Sequence, residues 1–136
     1  MYKASLHMTS KKLSPQQITD TLGIIPDRFH EKGSLFSKRY PNGKRREVSS
    51  WSLDGKSEDA SCLEVYVEQL ISVIESNSSK FQKIISDCEI EIYCSFFAEE
   101  DDISGSIFLS SDLIERLTIF PINLTIVMYP LDTEDL

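Results

Sequence analysis

A chain of 136 residues with 40% apolar and 26% charged residues has the size and composition of one globular domain. Its formal net charge of −8 argues against non-specific binding to nucleic acid or membrane surfaces. No apolar run approaches the ~20 residues that cross a bilayer, and the first ten residues alternate instead of forming a signal's apolar block, so a cytoplasmic protein is expected.

Cys62, Cys88 and Cys94 are an odd number with no short paired spacing, which is a poor disulfide framework. With His7 and His30 far away in sequence they also make a poor zinc site. Buried, inert thiols are expected, with no metal and no cofactor.

The charge is divided along the chain. Arg28, Lys32, Lys38, Arg39, Lys44, Arg45 and Arg46 are half of the 14 basic residues, and they stand against one acid, Glu31. From Glu99 onward the sign reverses, with Glu99, Glu100, Asp101, Asp102, Asp112 and Glu115 opposed only by Arg116 and followed by a short acidic tail over 131–136.

In chain order, Tyr2, Ala4, Leu6 and Met8 alternate with polar residues, the period of a half-buried strand. Ser14 then reads as a helix N-cap with Pro15 at the first helical position, Gly23 as a left-handed C-cap and Pro26 as a stop. Pro41-Asn42-Gly43-Lys44 predicts a tight type I′ hairpin joining 35–40 to 45–53. That register sets Arg39 opposite Arg46, a like-charge pair that an anion or an acidic partner would relieve.

Trp51 and Leu53 read as the buried end of the second hairpin strand, and Asp54-Gly55 as a turn. Leu63, Val67, Leu70, Ile71 and Ile74 recur at helical spacing over 61–75, and a shorter helix follows with Phe81, Ile84 and Ile85. Ile90 to Phe96 alternates as a strand, and 106–109 as a shorter one. Ser111 caps a last helix that ends before Pro121, and 122–129 is the final strand, apolar at Ile122, Leu124, Ile126 and Met128. The order β-α-β-β-α-β-β-α-β predicts an α+β domain over 1–130. Its sheet should be mostly antiparallel or mixed with helices on one face, an extended ferredoxin-like sandwich.

No nucleophile elbow, phosphate loop, dinucleotide fingerprint or metalloprotease helix is present, so no catalytic residue is assigned and a non-enzyme is expected. The acidic stretch lacks the alternating ligands of a calcium loop. It reads as a solvated turn or as a contact surface for a cationic partner, whose approach it would steer.

Leu22-Gly23-Ile24 with Pro26, Lys32-Gly33, Ser50-Trp51-Ser52-Leu53, Phe96-Phe97, Gly105 before Phe108-Leu109-Ser110, and Tyr129-Pro130 form a set that resembles the bacterial family called domain of unknown function 4279. The likeness runs nearly the full length, over turn and core positions. It implies a bacterial protein whose relatives resemble companions of polymorphic toxins, and it carries over no active site.

These features predict a non-enzymatic protein-binding domain, foremost an immunity-type inhibitor that neutralises a bacterial toxin. Its partner contacts are assigned to Glu99, Glu100, Asp101 and Asp102 with Asp54, Glu58 and Asp59. The alternative is a regulatory module that binds an anionic ligand or nucleic acid through Arg28, Lys32, Arg39, Arg45 and Arg46 near Trp51; nucleic acid is the less favoured of the two given the overall acidity.

Overall fold

The alternating stretch at the start of the chain becomes the middle of a sheet. The computed structural model of the chain describes residues 1–56, 62–101 and 105–131. Among these residues the elements run β1 (Tyr2–Ser10), α1 (Pro15–Leu22), β2 (Arg28–His30), β3 (Ser49–Asp54), α2 (Leu63–Ser76), α3 (Ser78–Ile84), β4 (Glu89–Phe97), α4 (Ser111–Leu117) and β5 (Ile122–Tyr129). The strands form one mixed sheet in the order β2-β3-β1-β4-β5. All pairs are antiparallel except β4 with β5, which the α4 crossover makes parallel. The fold is α+β, and its first four strands interleave in an order compatible with a ferredoxin-like sandwich.

Strand alternation decides the two faces. Leu6 and Met8 of β1, Trp51 of β3, and Ile90 and Ile92 of β4 are fully or almost fully buried on one face. Ile18 and Leu22 of α1, Val67, Leu70, Ile71 and Ile74 of α2, and Phe81 of α3 pack on them. Each such side chain contributes about 1.5–3 kcal/mol by leaving water, so this layer carries the fold. Trp51 also satisfies its polar edge, its Nε1–H donating to Thr19 Oγ1 at 3.1 Å. Arg116 ties α4 to α2, reaching Glu75 at 2.7 Å and Glu68 at 3.3 Å.

The first helix forms as its sequence predicts. Ser14 Oγ accepts from the Gln17 amide at 3.1 Å, and Gln17 Oε1 accepts from the Ser14 amide at 2.8 Å, a reciprocal capping box. Gly23 closes the helix at φ 68°, where a side chain would be strained, and its amide bonds Thr19 O at 2.8 Å.

Two sequence expectations are overturned. The hairpin partner of β3 is β2, not 35–40: Phe29 stands opposite Trp51 and Arg28 opposite Ser52. Residues between β2 and β3 make a long excursion whose one ladder contact is a bridge between Leu35 and Arg45. Neither Asn42 nor Gly43 takes a positive φ. The Gly43 amide instead bonds Tyr40 O at 2.9 Å, closing a turn with Pro41 at its second position. Because the bridge sets Arg45 against Leu35, the like-charge pair Arg39–Arg46 does not form. The strand expected at 106–109 is also absent: this stretch joins no ladder, and the Tyr2 hydroxyl donates to Ser106 O at 3.1 Å. The two successive helices α2 and α3, divided at Asn77, form where the sequence predicts them.

Candidate functional site

The four helices leave the other face of the sheet open, and the polar phase of each strand lines it. One row crosses all five strands: Arg28, Ser52, His7, Glu91 and Asn123 are successive cross-strand neighbours. The rows beside it bring His30, Ser50 and Thr9 on one side, and Asp54, Ser5, Tyr93 and Thr125 on the other. The excursion between β2 and β3 folds over this face with Phe36 and Arg46. It closes a cleft of about 500 Å³ whose lining includes His7, His30, Arg28, Arg46, Glu91 and Tyr93. A second hollow of about 550 Å³, sharing Ser5, Arg28 and Tyr93, continues it toward Lys3 and Asp54.

Most polar groups here are already engaged. His7 Nδ1 lies 2.7 Å from Ser52 Oγ, Thr125 Oγ1 donates to Glu91 at 2.8 Å, and the Tyr93 and Tyr129 hydroxyls meet at 3.0 Å. Arg28 forms a two-pronged pair with Asp54, both N···O distances 2.7 Å. Burial holds the His7 imidazole below its ordinary pKa; Glu91 opposes that shift, while Arg28 and His30 reinforce it. His7 therefore presents a neutral ring near pH 7.

Arg46 is the exception. Its guanidinium lies 4.6 Å from the centroid of the Phe36 ring, which holds the planar fork in place. Its Nε is buried with no hydrogen-bond partner among the described residues. A buried donor left unpaired is costly, so this group marks where an acceptor is missing.

A family model described as "Domain of unknown function (DUF4279)" matches residues 1–131. The chain belongs to that family. No curated protein and no solved structure matches it.

In this DUF4279 domain the residues predicted to bind anions do not form one group. Arg28 and Arg46 reach the cleft. Lys32 turns away, its ammonium donating to Lys11 O at 3.3 Å, and Arg45 donates to Gly33 O at 2.8 Å. Arg39 is exposed and outside the cleft. Trp51 is fully buried on the helix side, so it shares no surface with Arg28.

Four of the predicted partner-binding acids, Asp54, Glu99, Glu100 and Asp101, lie at the end of the sheet where β1 begins. Glu99, Glu100 and Asp101 follow β4 there and are exposed, with Glu99 Oε1 4.0 Å from the Met1 amino group. Asp54 ends β3 at the same end but is held by Arg28. Glu58, Asp59 and Asp102 lie outside the described residues. Lys11, Lys12 and the start of the basic excursion lie at the opposite end, where Lys12 pairs with Asp87 at 3.3 Å.

Sequence reading missed His7, Ser52 and Glu91 as neighbours. The signal available was their common polar phase on three strands, but only the ladder registers set them in one row. The thiols also differ from expectation: Cys94 is buried, Cys88 is half-buried and Cys62 is exposed.

Proposed function

We propose that this DUF4279 domain is a non-enzymatic binding module whose ligand site is the open face of the sheet, and that it takes a small anionic ligand through Arg46. The unpaired, buried Nε of Arg46 carries this reading. A carboxylate or phosphate oxygen is the acceptor such a fork takes, with Phe36 fixing its plane and the His7 and His30 rings lining the same cleft. The scatter of the remaining basic side chains and the net charge of −8 favour a small anion over nucleic acid.

The His7–Ser52 contact supports binding over catalysis. Ser52 is only 7% exposed, Glu91 is engaged by Thr125, and Ser52 sits mid-strand between two ladder partners. Backbone amides of an internal strand are committed to the ladder, which leaves no oxyanion hole beside the hydroxyl.

Titration of the chain with inorganic phosphate and with citrate, followed by amide NMR, tests the reading. Shifts confined to His7, Arg46, Ser50 and their neighbours, lost in Arg46→Ala, are expected. Unchanged spectra at roughly 10 mM anion, beyond the weak end of specific recognition, would rule the site out.

A second reading, an immunity-type inhibitor of a bacterial toxin, is favoured by one observation: Glu99, Glu100 and Asp101 are exposed together just after β4. Neutralising Glu99 to Asp102 together should slow association with a cognate toxin, most visibly at low salt. Unchanged affinity and on-rate would remove that assignment.

A further inference from the structure

The two edges of the sheet are built differently. β2 is three residues long, carries Arg28 and His30, and leads directly into the excursion that folds over the sheet. β5 is eight residues long, INLTIVMY, with no charged residue and no internal proline. Natural edge strands are usually blunted by short length, charge, proline or a covering loop, and β5 has none of these among the described residues.

Its apolar phase is also bare among the described residues. Leu124, Ile126 and Met128 point to the helix side of the sheet, in register with the buried Ile92, Cys94 and Phe96 of β4. Yet they are 38%, 43% and 55% exposed. The helices pack over β1, β3 and β4, and α4 is drawn toward α2 by Arg116, so β5 overhangs the layer that covers its neighbours. The strand thus has the alternation of a buried face without the cover.

We propose that β5 is a self-association strand, and that two copies of this chain pair their β5 edges antiparallel into one continuous ten-stranded sheet. An extended strand is the occupant that satisfies a row of outward amide and carbonyl groups. A second copy fits because its strand is uncharged: the two chains meet without opposed like charges although each carries −8. It also matches in phase. Opposed residues of a ladder share a face, so a two-fold axis through Ile126 sets Ile126 against Ile126 and Leu124 against Met128. Each copy's apolar row then lies beside the other's, and Leu124, Ile126 and Met128 gain cross-strand apolar contacts while the edge amides and carbonyls of both strands are paired.

Sedimentation of the full chain from roughly 1 to 100 µM tests this. A monomer–dimer equilibrium is expected for the wild type. Ile126→Lys should give a monomer with an unchanged far-UV spectrum, and Met128→Lys, at the more exposed position, should do the same. Mixing I126K with Ile126→Glu should restore the dimer, because the two-fold register puts the opposite charges face to face; failure to restore it overturns that register. A wild type that stays monomeric at roughly 100 µM, or a dimer that persists in both lysine variants, overturns the proposal. A band that appears only when another protein is added counts against a second copy as the occupant.

Discussion

Arg28 and Asp54 clasp each other on the open face of the sheet, with both N···O distances 2.7 Å. The pair joins the end of β3 to β2, and it withdraws one cation and one acid from recognition. Arg46, on the excursion above the same face, has no such partner among the described residues for its buried Nε. The cleft therefore holds one guanidinium paired with an acid and one whose buried Nε has no partner among the described residues.

Asp54→Asn releases Arg28 and should tighten phosphate binding to the cleft. The cost in stability should be no more than about 1 kcal/mol, because both partners are substantially exposed. Calorimetric titration and urea unfolding on the same sample check both halves of this expectation.

His7 makes stability depend on pH. Burial lowers its folded pKa, so between the ordinary value of about 6.5 and that lower value the unfolded chain holds more protons than the native one. Its stabilising contribution is complete above about pH 6.5 and is lost as pH falls through the folded pKa. Urea unfolding at steps from pH 7.5 to 5 should show this decline, with a shallower slope in His7→Gln.

Thr19→Val removes the acceptor of the Trp51 indole while keeping side-chain volume. It should cost about 1–3 kcal/mol, the penalty of a buried donor left unpaired, measured by chemical denaturation. Because Trp51 is buried on the helix side, its native fluorescence should not change when phosphate enters the cleft.

The thiols should react in order of exposure. Cys62 is open to a disulfide reagent, burial raises the pKa of half-buried Cys88, and buried Cys94 is pushed up to about 11. Mass mapping after brief native labelling should find Cys62 modified first, with Cys94 modified only after unfolding.

Local signals determined the helices and long strands. Ser14, Pro15 and Gly23 fix α1 because caps act within one turn, and the alternation in β1, β4 and β5 needs only the chain's own period of two. The family, too, was legible, since its markers are turn and core residues that serve the fold. Tertiary structure decided the rest. Asn42-Gly43 carries a strong hairpin signal, yet β3 pairs with Arg28–His30, because the partner that sets Phe29 against Trp51 extends the common sheet. The cleft is a product of ladder registers, which place His7, Ser52 and Glu91 side by side from three distant segments. Likewise the period of β5 specified which side chains share a face, but whether a helix covers that face is a property of the assembled layer, and α4 leaves it bare.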